Sequence, residues 1–303
     1  MKSAVGVREP ALWAAVSAKE FIGIFKPRIA VSIMLSALGG IAITPGPMPG
    51  TLEVVTLAVG VFLAAGSAGA FNQWAEADLD AMMARTAGRP FASGRLQPDA
   101  IWLVGIVALL GFAVGMVALS SNAWAALYTF LGAFTYAIVY TVWLKRRTWL
   151  NIVIGGLAGS FAVLAGAAAA DPSLTAEPII LAIVLFLWTP PHFWSLAIAA
   201  HKDYEENHVP MLPVIIGDRA TARVILAHTV ALSLIALLPA LYGMGWIYLG
   251  FAIAGGGLFT STSIRLAREP TKRHAIQNFL ASLTQLTLLL TGIALERLIA
   301  LGA

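Results

Sequence analysis

Three side chains that carry oxygen donors recur at four-residue intervals in the segment NQWAEADLDAMMARTAGRP. They belong to Asn72, Glu76 and Asp80, and on a helix this spacing puts all three on one face. The segment ends a long apolar run, and a carboxylate within a membrane span costs about 2.5–3.5 kcal/mol on insertion scales. A cation among the carboxylates would offset that cost, and oxygen-only ligands suit Mg²⁺ that also binds phosphate oxygens. The stripe therefore predicts a site for a divalent cation or a cation-bearing ligand.

The same residues have a simpler interpretation, which is a charged interfacial loop whose acids and arginines neutralise one another. Two observations favour a site instead. The stripe lies on one helix face, and a second polar cluster follows in an equivalent place. Arg85 and Arg89 then become candidates for binding phosphate oxygens. Asp78 points to another side, where it is a candidate partner for either arginine or for a second metal ion.

The second polar cluster is WTPPHFWSLAIAAHKDYEENHVPMLP, residues 188–213. It ends the sixth apolar segment as the first motif ends the second, so the two clusters share an orientation and can face each other across a bundle. Its double proline predicts a kink beside a cavity. Asp203 is the clearest metal-ligand candidate, and Asn207 shares its face if the helix continues. Lys202 is a candidate for binding phosphate oxygens.

The composition predicts that helices spanning a membrane carry both clusters. The 303 residues are 59% hydrophobic and 11% charged, with no cysteine, and the mean hydropathy is +0.84. Apolar runs near the length that crosses a bilayer recur along the chain. Nine spans are predicted, at about 21–43, 52–75, 99–119, 122–143, 150–170, 178–200, 221–241, 244–265 and 275–299.

The basic residues predict how these spans are oriented. All of the 19 Lys and Arg residues except Arg297 lie in or beside the N-terminal segment and the loops after spans 2, 4, 6 and 8. The positive-inside rule places those loops and the N-terminal segment 1–20 in the cytoplasm, and the C-terminus outside. The net charge of +4 is therefore interpreted as topology, and no nucleic-acid partner is expected.

The motifs together resemble a known family. The first reads N-x-x-x-E-x-D-x-D-x-x-M-x-R-T-x-x-R-P, PPHFW, DY and PMLPV follow in the second, and FKPR occupies Phe25–Arg28. This combination, over nearly the whole chain, resembles the UbiA-type intramembrane prenyltransferases, in particular their haem O synthase (protohaem IX farnesyltransferase) branch. Two positions depart from the family pattern, since UbiA-type enzymes usually have Asp where Glu76 stands and a second acid where Asn207 stands.

The resemblance implies an all-α fold, one transmembrane domain over residues 1–303 with nine helices around a central cavity. It implies transfer of the farnesyl group of farnesyl diphosphate to a vinyl group of haem B, giving haem O and diphosphate with the help of Mg²⁺. Lys145, in the LKR turn after span 4, matches a family position and is a predicted catalytic residue. The predicted catalytic metal ligands are Asn72, Glu76, Asp80 and Asp203.

The substrate contacts that the resemblance implies are charged, aromatic and imidazole groups. Trp74 and Tyr140 could line the prenyl cavity, although generic packing would also explain any single aromatic residue. His192 matches the family's PHFW and is a candidate haem contact or iron ligand, with a satisfied buried histidine as the alternative. The predicted substrate-binding residues are Arg85, Arg89, Lys202, His192, Trp74, Tyr140 and Asn207.

Two other functions remain open from the residues. A secondary transporter also uses broken helices and intramembrane acids, but here the acids lie at span ends beside arginines, which suits a diphosphate better. A prenyltransferase with an aromatic quinone precursor as acceptor is the closer alternative. The expected setting is a bacterial inner membrane, with membrane lipid, farnesyl diphosphate and haem B as partners. A haem A synthase or a terminal-oxidase assembly partner would receive the hydrophobic product.

Overall fold

The computed structural model describes residues 16–302, and within that range every regular element is helical. Most of the predicted segment 1–20 therefore lies outside the described residues, as does the C-terminal Ala303. The α-helices are α1 (Ala18–Ile24), α2 (Pro27–Ile43), α3 (Thr51–Ala75), α4 (Ala77–Met82), α5 (Ala100–Ser120), α6 (Ala123–Phe134), α7 (Asn151–Gly155), α8 (Leu157–Ala170), α9 (Ala176–Ala199), α10 (His201–Glu206), α11 (Leu212–Ile216), α12 (Asp218–Ile235), α13 (Trp246–Arg268) and α14 (Lys272–Gly302). A π-helix, Thr135–Leu144, continues α6, and a 3₁₀ helix, Leu238–Tyr242, follows α12.

The predicted spans agree with these helices to within a few residues, apart from the first. Eight helical stretches in the described chain are long and apolar enough to cross a membrane, or nine if the bent pair α1 and α2 is one broken span. That pair bends by 47° at a break that contains Lys26, whose left-handed backbone has φ of 49°. Pro27 follows as the first residue of α2, a position where its missing N–H needs no partner. The chain is thus an integral membrane protein whose first predicted span is interrupted.

Small residues let α2 and α8 pack with their backbones close together. A Cβ atom on Gly40 would lie 2.1 Å from the carbonyl oxygen of Val163, and one on Gly166 would lie 1.8 Å from that of Ala37. No side chain fits at either glycine. Close packing of helices through small residues is common in membrane proteins. The glycine- and alanine-rich run of α8 therefore serves close helix approach.

Apolar packing joins the two polar motifs at one end of the bundle. Leu79 and Met83, from the segment that follows α3, share a buried cluster with Tyr204 and Met211 from the segment that follows α9. Those segments follow helices separated by more than 100 residues, so the contact is long-range. We call the end of the bundle that carries residues 76–90 and 201–213 the motif end.

Candidate active site

The residues of the stripe lie on one buried face, although the helix that carries them is broken. The helix α3 ends at Ala75, and Glu76 is the junction with α4. Backbone bonds still link the three residues, from the Glu76 N–H to the Asn72 carbonyl at 3.1 Å and from the Asp80 N–H to the Glu76 carbonyl at 2.8 Å. The spacing therefore survives the break, and Asn72, Glu76 and Asp80 are each at most 3% exposed.

The π-helix Thr135–Leu144 ends at Lys145 and brings this residue to the stripe. Its wider turn ends with a bond from the Lys145 N–H to the Tyr140 carbonyl, five residues earlier. The Lys145 ammonium donates to Glu76 Oε2 at 2.6 Å. A long π-helix is rare and frequently marks a functional site.

The amide of Asn72 connects the parts of this site. Its Nδ2 donates to Glu76 Oε2 at 2.8 Å and to Thr141 Oγ1 at 2.9 Å. Its Oδ1 accepts from the ammonium group of Lys26. That ammonium also donates to the Tyr136 hydroxyl at 2.9 Å. A single asparagine thus links α3, the π-helix and the break between α1 and α2.

Lys26 is a site residue that the sequence motifs did not predict. A signal was present, because a lysine inside an apolar span is costly and marks function by default. Lys26 lies within the FKPR segment, which contributes to the family resemblance without predicting a site role for any of its residues. The break at Pro27 turns its side chain into the site, where it reaches two polar partners.

Cations from two segments surround a cavity of about 300 Å³ beside the stripe. Lys26 lines it from the helix break, Arg85 and Arg89 line it from the segment after α4, and Glu20 adds one carboxylate to the lining. Arg89 also pairs with Asp80 at 2.5 Å. The cavity therefore combines several positive charges with a neighbouring buried acidic stripe, and this charge distribution suits a multiply charged anion that brings its own cation.

The second motif lies near this site but is less enclosed. Tyr204 is buried at 8% exposure, and burial raises the pKa of its hydroxyl. The carboxylates of Asp203 and Glu76 act in the same direction, while the Arg85 guanidinium opposes them. Residues of both motifs therefore share one electrostatic environment.

The polar candidates of the second motif are only loosely held. Asp203 is half-buried and Lys202 is exposed. Asn207 donates from Nδ2 to the carbonyl oxygen of Asp203 at 2.7 Å. The helix α10 ends at Glu206 with Asn207 as its C-cap, so the condition under which Asn207 would share a helix face with Asp203 is not met. The Asn207 side chain instead caps the end of that short helix.

The oxygen donors of the stripe suit a hard divalent cation. Glu76 Oε1 is buried without a hydrogen-bond partner, which leaves one carboxylate oxygen for such an ion. Within residues 16–302, no group of three or more His, Cys, Asp or Glu side chains is close enough to share a metal ion. The predicted set Asn72, Glu76, Asp80 and Asp203 is therefore not gathered into one ligand cluster in this structure, and Glu76 and Asp80 are paired with protein cations.

Two charged or aromatic residues of the first motif point away from the stripe. Asp78 forms a bidentate pair with Arg146, with N–O distances of 2.6 and 2.8 Å. The expected partners were Arg85, Arg89 or a second metal ion, and that expectation was wrong. Trp74 donates from its indole nitrogen to the Asp99 carbonyl at 3.0 Å. It packs in a cluster with Ile24 and Trp102, and the structure does not bring it to the acidic stripe.

Aromatic rings do line the site from the π-helix. Tyr136 and Tyr140 stack with ring centres 5.9 Å apart. The ammonium of Lys145 lies 5.9 Å from the Tyr140 ring centre, and that of Lys26 lies 5.5 Å from the Tyr136 ring centre. Protein ammonium groups therefore already lie over both rings, and the role of Tyr140 in lining the prenyl cavity stays a prediction.

His192 lies deeper in the bundle, in the C-terminal half of α9. Its Nδ1 is 2.6 Å from Ser282 Oγ on α14. Its ring is stacked between Trp188 and Phe279, with ring centres 4.3 and 4.4 Å away. The prolines before it stay inside a helix that runs without interruption from Ala176 to Ala199.

Comparisons with known proteins agree with one another. The UbiA prenyltransferase family matches residues 33–286. The chain is 54% identical to Protoheme IX farnesyltransferase 2 of Paramagnetospirillum magneticum, over 93% of this chain and 98% of that protein. It is 42% identical to Protoheme IX farnesyltransferase of Alkalilimnicola ehrlichii, over 92% of each.

Solved structures share the fold at low identity. A digeranylgeranylglyceryl phosphate synthase structure has a TM-score of 0.76 at 17% identity, covering 93% of this chain and 98% of that one. A UbiA homologue from Archaeoglobus fulgidus bound to DMAPP and Mg²⁺ has a TM-score of 0.68 at 12% identity, covering 89% and 99%. These neighbours confirm the predicted all-α bundle.

Proposed function

The chain belongs to the UbiA prenyltransferase family, and we propose that it transfers the farnesyl group of farnesyl diphosphate to a vinyl group of haem B. The acceptor follows from the 54% identity to a protoheme IX farnesyltransferase. The observation that supports the chemistry is the cavity lined by Lys26, Arg85 and Arg89 beside the buried stripe. Such a cavity can hold a diphosphate at the motif end while its prenyl chain lies in the apolar bundle.

The acidic stripe would hold Mg²⁺ in this function. The ligands are Asn72, Asp80 and Glu76, the last through its unpartnered Oε1. Asp203 joins them from the second motif when substrate binds. The A. fulgidus homologue bound to DMAPP and Mg²⁺ supports a divalent cation. When bound, the ion neutralises negative charge that develops on the departing diphosphate.

The protein's own cations bind and orient the leaving group. Lys26, Arg85 and Arg89 contact the diphosphate from the cavity wall, with Lys145 and Lys202 as further donors. The bond between C1 of the farnesyl group and the diphosphate oxygen breaks, and its electron pair leaves with diphosphate. The resulting allylic cation faces Tyr136 and Tyr140, whose rings stabilise it while the apolar bundle excludes water.

The acceptor then completes the reaction. The π electrons of the haem vinyl group form the new carbon–carbon bond with C1 of the farnesyl cation. Water adds to the cation left on the vinyl carbon and loses a proton, which gives the hydroxyethylfarnesyl group of haem O. The product is strongly apolar, so direct transfer to a haem A synthase or an oxidase assembly partner belongs to the same proposal.

The proposal includes an orientation in a bacterial inner membrane. The motif end and the N-terminus face the cytoplasm, and the C-terminus lies outside. The distribution of basic residues supports this orientation.

The direct test uses the purified protein. We expect it to convert haem B and farnesyl diphosphate to haem O when Mg²⁺ is present, as measured by mass spectrometry. Omission of Mg²⁺ should stop product formation. Prenylation of an aromatic quinone precursor, with haem B left unchanged, would instead establish the alternative acceptor. Mg²⁺-independent activity would contradict the proposed use of the stripe.

A further inference from the structure

The hydroxyl of Thr141 determines how the side-chain amide of Asn72 is oriented. Thr141 Oγ1 donates its single proton to the carbonyl oxygen of Tyr136 at 2.9 Å. Because a carbonyl oxygen can only accept, the same hydroxyl must act as the acceptor towards Asn72. The Asn72 atom that lies 2.9 Å from Thr141 Oγ1 is therefore the donor Nδ2. The carbonyl oxygen Oδ1 must then point to the other side of the amide.

The π-helix supplies the acceptor for this hydroxyl. A helical threonine normally bonds to the carbonyl three or four residues earlier. Thr129 in α6 does so, with its Oγ1 2.8 Å from the carbonyl oxygen of Ala125. Thr141 lies in the π-helix, whose turn is one residue wider, and its partner Tyr136 is five residues earlier. The proton of Thr141 is thus used within its own helix, and a lone pair of its oxygen faces Asn72 on α3.

The two other partners of the amide require the same orientation. The second proton of Asn72 Nδ2 is donated to Glu76 Oε2 at 2.8 Å, and a carboxylate can only accept. Asn72 Oδ1 accepts from the Lys26 ammonium, which can only donate. Lys26 also lines the cavity. The amide oxygen therefore points to the side on which the diphosphate is proposed to bind.

Thr141 differs from these two partners in what the proposed function requires of it. Glu76 is a proposed Mg²⁺ ligand and Lys26 a proposed diphosphate contact, so both are drawn towards the substrate when it binds. Thr141 is uncharged and only 4% exposed. Among the described residues, Lys26 belongs to the lining of the cavity and Thr141 does not. The bond from Asn72 to Thr141 can therefore persist while the other two bonds rearrange.

On the basis of the proposed function, we infer that Thr141 is a positioning residue that keeps Asn72 Oδ1 available to the Mg²⁺ ion. Thr141 itself touches neither the ion nor the substrate. Hydrogen bonds from neighbouring groups orient metal ligands, and loss of such a partner typically costs about 10- to 100-fold in metal affinity or activity. Without the hydroxyl, one buried N–H of Asn72 would lack an acceptor, which is unfavourable. The amide would rotate to find another acceptor, and Oδ1 would turn away from the ion.

The test measures metal binding and does not depend on turnover. Mn²⁺ replaces Mg²⁺ in the presence of a non-hydrolysable farnesyl diphosphate analogue, and electron paramagnetic resonance measures the free Mn²⁺. Thr141→Val removes the hydroxyl at nearly constant size and should weaken Mn²⁺ binding by about 10- to 100-fold. Thr141→Ser keeps the hydroxyl and should bind Mn²⁺ with an affinity close to that of the wild type. In turnover, Thr141→Val should raise the Mg²⁺ concentration that gives the half-maximal rate, and Thr141→Ser should not.

Thr129→Val is the matched control. Thr129 is also buried, at 5% exposure, and its hydroxyl bonds to a carbonyl of its own helix. Its replacement should leave Mn²⁺ affinity unchanged. Wild-type affinity in Thr141→Val, or an equal loss in Thr129→Val or Thr141→Ser, would overturn the inference. If Thr141→Val does not fold, Thr141→Cys replaces it, because a thiol is only a weak donor and acceptor. Wild-type affinity in that variant would overturn the inference equally.

Failure of this inference can be distinguished from failure of the proposed function. Haem O production by wild-type protein, together with unchanged Mn²⁺ affinity in Thr141→Val, overturns the positioning role and leaves the farnesyl transfer intact. Wild-type protein that neither binds Mn²⁺ with the analogue nor forms haem O overturns both. Weaker Mn²⁺ binding in Thr141→Val, together with prenylation of an acceptor other than haem B, supports the positioning role and contradicts the proposed acceptor.

Discussion

The two motifs differ in how their polar groups are held. In the first, Asn72, Glu76 and Asp80 are almost completely buried. Each contacts a cationic side chain from elsewhere in the chain: Lys26, Lys145 and Arg89, respectively. In the second, Asp203 is half-buried, and its carboxylate makes no hydrogen bond or ion pair with any residue between 16 and 302.

This difference separates a preorganised half-site from an adaptable one. Buried carboxylates are strongly destabilising unless they are paired, so protein cations stabilise the first motif before substrate arrives. The loosely held second motif can move towards a ligand without breaking buried pairs. We infer that substrate binding brings Asp203 to the stripe, and the predictions that follow test the contrast.

The largest expected effect is on Asp80. Asp80→Ala removes a metal ligand and the partner of Arg89, and we expect turnover to fall by at least about 100-fold. Haem O formation measures it. Asp78→Ala is the matched control, because it removes a carboxylate two residues away that is paired on the exposed side. Near-normal turnover in Asp80→Ala, or equal losses in both variants, would remove the first motif from the chemistry.

Replacement of Lys26 should come next. Lys26→Met keeps the length of the side chain but removes its charge-assisted hydrogen bonds, each worth about 1.5–3 kcal/mol. We expect the KM for farnesyl diphosphate to rise by about 10- to 100-fold. Steady-state kinetics measure this, and Lys19→Met, on the exposed face of α1, is the control. An unchanged KM would show that Lys26 only neutralises the stripe.

A thermal-shift cycle tests whether the two motifs join. Mg²⁺ with a non-hydrolysable farnesyl diphosphate analogue should raise the melting temperature of the wild-type protein. Asp203→Asn and Asp80→Asn should each reduce that increase, and the double variant should lose less than the sum, with a coupling of about 1 kcal/mol. The comparison is repeated without ligand, where we expect the coupling to be much weaker. Strictly additive effects with ligand would mean that the motifs do not share a site.

The smallest effect is expected at the exposed pair Asp78–Arg146. The Arg146 guanidinium holds the pKa of Asp78 below its usual range by hydrogen bonding. The pair therefore stabilises the folded protein fully at pH values above the pKa that Asp78 has in the unfolded chain. This stabilisation is lost as the pH falls through the lower pKa that Asp78 has in the folded protein. Since the Asp78 side chain is 65% exposed, Asp78→Asn should change the free energy of unfolding by only about 0.2–1 kcal/mol at neutral pH. Thermal melts at neutral and acidic pH measure it, and a loss that persists at low pH would contradict the pairing.

The lengths of the apolar runs predicted the spans well, because crossing a bilayer requires a minimum helix length whatever the neighbouring helices are. The four-residue spacing predicted that Asn72, Glu76 and Asp80 share a face, because helical periodicity is local. Even the break at Glu76 leaves the backbone bonds between them in place. The specific motifs predicted the family, since they preserve residue types at fixed spacing over nearly the whole chain.

The tertiary structure alone decided which cation meets which acid. Lys26 and Asn72 are 46 residues apart, and Lys145 and Glu76 are 69 residues apart. Their contacts depend on the bend between α1 and α2 and on the π-helix, neither of which has a clear periodic signature in the sequence. Spacing encodes which side chains share a face of one helix. Packing of the apolar surfaces decides which faces meet, and that is a property of the whole bundle.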